Sequence, residues 1–172
     1  MTGFARYSPF LTSALVFLLD RLTKWIIRTH VSVWDNFPVI PGFFSIVHTE
    51  NPGAAFGILS DSSSEWRTLF LIALSIGVMA FITTLLLHPA RGGLISTGVL
   101  RFGLALVLGG ALGNVYDRVL AGSVTDFLEF YFGQYQFPAF NVADSAITIG
   151  AGLLLLDMWR GHRHEKHVSQ TD

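Results

Sequence analysis

The chain has 172 residues, of which 51% are hydrophobic and 13% charged, with a mean hydropathy of +0.52 and a formal net charge of -1. A charged fraction so far below the roughly 25% of an average soluble domain points to a membrane protein, and the length holds one domain with a handful of spanning helices at about 20 residues per crossing. The absence of cysteine excludes disulfide frameworks, thiolate metal sites and cysteine nucleophiles, and the near-neutral charge argues against a nucleic-acid partner.

Residues 8–28 are read as a first span. Arg6 before an apolar run has the look of a signal peptide, but no small-residue cleavage site follows and three more apolar segments lie downstream, so the helix is expected to stay uncleaved. Asp20 and Lys24, four apart, share a helical face and read as an ion pair at the helix end. Arg21, Lys24 and Arg28 could pair with Asp20, with lipid phosphates or with another part of the fold.

From 31 to 60 the pattern changes. Pro38, Pro41, Gly42, Pro52, Gly53 and Gly57 break any helix, while residues 43–49 are rich in aromatic and β-branched side chains, which predicts a small β-rich element outside the membrane. Its end, Glu50-Asn51-Pro52-Gly53-Ala54-Ala55-Phe56-Gly57, is either a plain turn or a surface that admits another chain. Residues 68–87 carry no charge and form the second span; His88-Pro89-Ala90-Arg91-Gly92-Gly93 turns the chain. The third span, 96–118, has Arg101 near enough to its start to snorkel and a Gly109/Gly113 spacing that admits a neighbouring helix. The fourth, 138–158, is interrupted by Asp144, and the tail 160–172 is polar.

Four spans place both termini on one side. Arg6, Arg91, Arg101, Arg160, Arg163 and Lys166 lie at the termini or the second connection, and the long loops carry mainly Asp35, Glu50, Asp61, Glu65, Asp126 and Glu129. The positive-inside rule makes the termini cytoplasmic and the long loops external, and Trp25, Trp34, Trp66 and Trp159 fall near predicted helix ends as an aromatic belt requires.

Asn114, Asp117 and Arg118 occupy one face at the end of the third span, and Asn141, Asp144 and Ser145 repeat that spacing at the start of the fourth. Ionisable groups in a bilayer are costly enough to mark function. Two carboxylates at a partly dry interface cannot both ionise cheaply, so one holds a proton while the other serves as base, which is hydrolytic machinery. Spacing singles out Asp117 and Asp144 and leaves Asp126 as a solvated carboxylate in the connecting loop. The plainer alternative makes Asp117 and Arg118 a structural ion pair and has Asn114 and Asn141 bond across helices; Asp144 resists that explanation. Metal binding by the carboxylates stays open, although neither His30 nor His48 has ligand-like spacing to them. A channel or transporter predicts charges nearer the bilayer centre and an internal repeat, and a non-catalytic scaffold leaves the polar cluster without a purpose.

Five segments in order resemble bacterial lipoprotein signal peptidases, the signal peptidase II family. They are Asp20-Arg21-Leu22-Thr23-Lys24, Asn51-Pro52-Gly53-Ala54-Ala55-Phe56-Gly57, Gly113-Asn114-Val115-Tyr116-Asp117-Arg118, Gly122-Ser123-Val124-Thr125-Asp126-Phe127 and Phe140-Asn141-Val142-Ala143-Asp144-Ser145. Thr125 departs from the pattern, where the family more often has valine. The resemblance implies an all-α integral membrane protein of four transmembrane helices with a small extracytoplasmic β-cradle, built as a single peptidase domain over 1–172. It implies an aspartic endopeptidase of the bacterial inner membrane, active near the outer leaflet, that removes signal peptides from prolipoproteins just before a diacylglyceryl-modified cysteine. Catalysis moves onto Asp126 and Asp144, which activate a water without a covalent intermediate. Asn51, Gly53, Asn114, Arg118 and Asn141 become positioning or substrate-contacting residues, Asp117 a partner of Arg118, and Asp20 and Lys24 a structural pair. No metal or cofactor is implied; the partners are lipidated prolipoproteins and membrane lipids, and no oligomer is implied.

Overall fold

The computed structural model describes residues 3–33, 35–53, 64–88 and 97–168. Trp34, Asp61, residues 54–57 of the second motif, the turn at 89–93 and the tail end at 169–172 lie outside the described residues, as do the side chains of Arg6, Glu65, Arg163 and Lys166. The elements run α1 (Gly3–His30), β1 (Asn36–Ile40), β2 (Phe44–Asn51), α2 (Ser64–Leu87), α3 (Gly98–Ala121), β3 (Val124–Phe132), β4 (Tyr135–Gln136) and α4 (Val142–Val168).

Three helical segments, Trp66–Leu87, Gly98–Ala121 and Val142–Arg160, are long and apolar enough to cross a membrane. Leu11, Leu15 and Leu18 on α1 and Leu69, Leu74 and Phe81 on α2 are exposed, an arrangement that suits hydrocarbon rather than water. The protein is a multi-pass membrane protein. Its interior core is correspondingly small: Ile82 and Leu86 of α2 meet Leu104 and Leu108 of α3, with Phe10 and Leu154 against them.

The helices approach closely where glycine removes the side chain. A Cβ on Gly110 would lie 2.4 Å from the carbonyl oxygen of Ala143, and one on Gly150 would lie 2.6 Å from that of Gly103, so α3 and α4 run antiparallel almost backbone to backbone. On the other side of α3, a Cβ on Gly109 would meet the Ser13 carbonyl oxygen at 2.6 Å, and one on Gly113 the Asp20 carboxylate at 2.5 Å. The predicted small-residue spacing is therefore the α1 seam, and Gly110 adds the α4 seam. Thr97 caps α3 by accepting the Leu100 N–H at 3.1 Å and donates its hydroxyl to Asp157 on α4 at 2.7 Å. At the other end Gly122 adopts φ 72° and donates its N–H to Arg118, stopping the helix two residues before β3.

The strands form one antiparallel sheet in the order β1-β2-β3-β4. This corrects the expectation of an all-α chain with a β-rich element confined to 31–60: the nine-residue β3 and the short β4 come from the segment read as a connecting loop. The fourth helix also begins later than 138, because Phe140 is held by backbone hydrogen bonds to Leu128 of β3, and it continues through the predicted polar tail to Val168.

Candidate active site

The fourth helix starts with a capping box. Asn141 stands before the first helical residue, its Oδ1 accepts the Asp144 N–H at 2.9 Å, and Asp144 Oδ2 in return accepts the Asn141 N–H at 3.3 Å. The i, i+3 spacing seen in the sequence is thus first a helix start. It places the Asp144 carboxylate in the first turn, where the helix dipole favours negative charge. The other oxygen, Asp144 Oδ1, accepts Asn114 Nδ2 from α3 at 2.7 Å.

Asp126 is not the solvated loop residue that spacing suggested. It sits in β3, opposite Thr49 of β2, and is 3% exposed. Asn141 Nδ2 donates to its Oδ1 at 2.7 Å and Asn51 Nδ2 to its Oδ2 at 3.0 Å. Burial, and next the charge of Asp144, push its carboxyl up to about 7; the two amide donors oppose that rise. Asn51 is itself held by its neighbour, since its Oδ1 accepts the Gly53 N–H at 2.9 Å, and the Gly53 carbonyl accepts Arg118 Nη2 at 3.0 Å. Asp126, Asp144, Asn51, Asn114, Arg118 and Phe140 line a common cavity of about 480 Å³, whose wall is mostly apolar.

Behind this cavity lies a buried ion cluster. Asp117 and Lys24 are 1% and 0% exposed, and Asp117 takes Arg21 at 2.6 Å, Lys24 at 2.7 Å and Arg28 at 3.0 Å. The predicted Asp117–Arg118 partnership is therefore corrected: successive helical residues diverge by about 100°, so Asp117 faces α1 while Arg118 reaches Gly53 and the cavity. Asp20 and Lys24 do pair, at 3.0 Å, but deep inside the protein rather than at a helix end in the interface. Asp20 also accepts Arg21 at 2.6 Å and the Ala143 N–H at 3.1 Å. The three cations at the end of α1 thus find their counter-charges within the fold.

Two elements of this arrangement escaped the sequence reading. Arg28 donates to the Thr125 hydroxyl at 2.7 Å, and Thr125 donates to Glu50 at 2.8 Å, so a chain of polar contacts runs from Asp117 to the sheet beside Asp126. The i, i+4, i+8 run of Asp20, Lys24 and Arg28 was the available signal for the α1 side. Burial raises the Glu50 carboxyl, but donors from Ser123, Thr125 and His48 outweigh it and hold Glu50 below the usual carboxylate range. His48 spends its ring nitrogens on the Val31 carbonyl and Glu50, and among the described residues no group of three or more His, Asp or Glu side chains is placed to hold a metal ion.

Buried Asp126 and half-buried Asp144 thus open on one mostly apolar cavity, and each accepts a side-chain amide. The sequence matches the family described as signal peptidase (SPase) II over residues 12–160. The chain belongs to the signal peptidase II family. The lipoprotein signal peptidase of Solibacter usitatus (strain Ellin6076) is 51% identical over 164 residues, covering 95% of this chain and 98% of that protein. That of Syntrophus aciditrophicus (strain SB) is 42% identical over 86% of this chain and 89% of its own length. A bacterial membrane enzyme solved by the in meso method at 2.3 Å resolution has a TM-score of 0.77 and 34% identity, covering 89% of this chain and 88% of its own. The protein is accordingly an aspartic peptidase of signal peptidase II type, a hydrolase that cleaves signal peptides from prolipoproteins.

Proposed function

We propose that Asp126 and Asp144 are the catalytic pair, sharing one proton and holding the attacking water between them. The observation that carries this reading is the set of N–H donors around them: amides on both oxygens of Asp126, and an amide and a backbone N–H on those of Asp144. Asp126, with its carboxyl near 7, is poised to hold the proton and polarise the scissile carbonyl. Asp144, at a helix N-terminus, is the carboxylate that takes the proton of the water. The pair titrates together, so the two roles exchange as the leaving amine is protonated. Asn51, Asn114 and Asn141 orient the pair, Gly53 and Arg118 hold Asn51 and the cavity wall, and Asp20, Lys24 and Asp117 fasten α1 to the site.

The substrate in this reading is a prolipoprotein with a diacylglyceryl-modified cysteine, cut just before that residue, its acyl chains against the apolar wall and its signal helix in the surrounding lipid. The same reading makes α1 a fourth transmembrane helix, because the charges that weaken it as an isolated span are paired inside. It makes 1–172 one peptidase domain of the bacterial inner membrane, with the termini cytoplasmic by the positive-inside rule and the cavity on the extracytoplasmic side. The test is cleavage of a lipidated precursor in detergent: Asp126→Asn and Asp144→Asn should each abolish it while folding is retained. Full activity in either variant overturns the pair.

A further inference from the structure

Three asparagine side chains present their NH₂ ends to the two carboxylates, and in each case a group that can only donate holds the oxygen end. An amide's two ends are nearly the same size, so its partners decide which way it faces. For Asn51 that partner is the Gly53 N–H, and for Asn141 it is the Asp144 N–H, both backbone. For Asn114 it is a side chain: Lys24 Nζ lies 3.1 Å from Asn114 Oδ1. Lys24 has three N–H donors, and its three acceptors are Asp117 at 2.7 Å, Asp20 at 3.0 Å and this amide oxygen. Asn141 Nδ2, at 3.4 Å from the same oxygen, is committed at 2.7 Å to Asp126 and adds little.

We infer that Lys24 is a positioning residue for the hydrolysis: through Asn114 it keeps an N–H, and not a carbonyl, against Asp144. The inference rests on the assignment of Asp126 and Asp144 made above. Asp144 alternates between carboxylate and acid during that reaction; the carboxylate only accepts and so holds the NH₂ end by itself, whereas the acid also carries an O–H that an amide oxygen can accept. Once Asp144 has taken the water's proton, an unrestrained Asn114 can turn and accept a hydrogen bond from the new acid, which traps the proton. The ammonium prevents that turn in both states. Its two carboxylate partners account for its charge, whereas the third contact, to a neutral amide aimed at Asp144, is the one that a counter-ion alone does not require.

The experiment compares the full chain in detergent with Lys24→Met, Asn114→Leu and the double variant on a diacylglyceryl-modified precursor, reading kcat, KM and the pH profile. Lys24→Met is expected to lower kcat tenfold or more with KM within twofold, and to move the acid limb of the profile up by about one unit. Because both residues act through one contact, the double variant should be no slower than the slower single variant. Wild-type kcat and pH profile in folded Lys24→Met, or losses that multiply in the double variant, overturn the proposal. Where Lys24→Met does not fold, Asp20→Asn/Lys24→Met removes one charge of each sign and keeps an acceptor for Ala143; where that also fails, an unshifted acid limb in Asn114→Leu overturns it and a shifted one supports it. Activity in Asp126→Asn signals that the catalytic assignment itself is at fault, whatever Lys24 does.

Discussion

Asp20 on α1 accepts the backbone N–H of Ala143 at the start of α4, 123 residues away in sequence, at 3.1 Å. A helix N-terminus is thereby capped by a carboxylate from another helix, and the capped helix carries Asp144. Asp20→Ala should lower stability by about 3–5 kcal/mol, because it leaves buried Lys24 and Arg21 short of an acceptor as well as freeing the N–H. Asp20→Asn retains an oxygen for Ala143 and should cost less. Thermal unfolding in detergent, followed by tryptophan fluorescence, ranks the two, and equal losses would remove the capping explanation.

The α3 seams set a second expectation. Gly110→Ala places a methyl group against backbone at 2.4 Å and must push a helix away, and Gly113→Ala places one against the Asp20 carboxylate at 2.5 Å and must displace it from its partners. Both should lower the thermal midpoint and the cleavage rate together, with a stability loss on the order of 1–3 kcal/mol. Gly77→Ala on α2, where the new Cβ meets nothing within 4 Å, should be neutral or gain roughly 0.4–1 kcal/mol. The same unfolding measurement separates the three.

Asp126 gives stability a pH dependence of definite sign. The folded carboxyl holds its proton up to about pH 7, whereas the unfolded one releases it near 3.8. The unfolded state therefore binds fewer protons across that window, and this group's contribution falls as pH rises from about 4 to 7. In Asp126→Asn the decline between pH 5 and pH 8 should flatten, by an amount on the order of 2–4 kcal/mol. Denaturant midpoints measured at the two pH values decide it. In the unsubstituted enzyme, cleavage should fall above about pH 7 as Asp126 loses its proton.

Asn51 is expected to act on the same limb. Its amide donates to Asp126 Oδ2 and opposes the rise of that carboxyl. Asn51→Ala should slow cleavage by about ten- to a hundredfold, since it leaves a buried carboxyl oxygen unpaired, and should carry the alkaline limb to higher pH. A rate loss with the limb unmoved would assign Asn51 to substrate binding alone.

The apolar runs made the spanning helices legible, and the arrangement of acidic residues and asparagines made the neighbourhood of the site legible. Val124 to Phe132 was harder, although its alternating β-branched and aromatic residues carry a strand pattern. Lying between two long apolar helices, it reads as a connection, and only pairing with β2, remote in sequence, makes it a strand with Asp126 buried. Asp117 misleads for a local reason: Arg118 is its neighbour in the chain but not on the helix surface, and its partners come from α1. The roles of Asn51 and Asn114 depend on which end of each amide faces inward, a property that hydrogen bonds in the folded protein decide.

Asp126 and Asp144 belong to different layers, one to the sheet and one to the helical bundle, and Asn141 spans the join. On the proposed chemistry neither layer is active alone. A chain whose helices have entered the bilayer but whose β2 and β3 have not paired possesses half a reactive centre and cannot hydrolyse anything. Competence to cut then requires the sheet as well as the bundle, so a copy without the β2–β3 pairing is harmless to the peptide bonds around it, its own included.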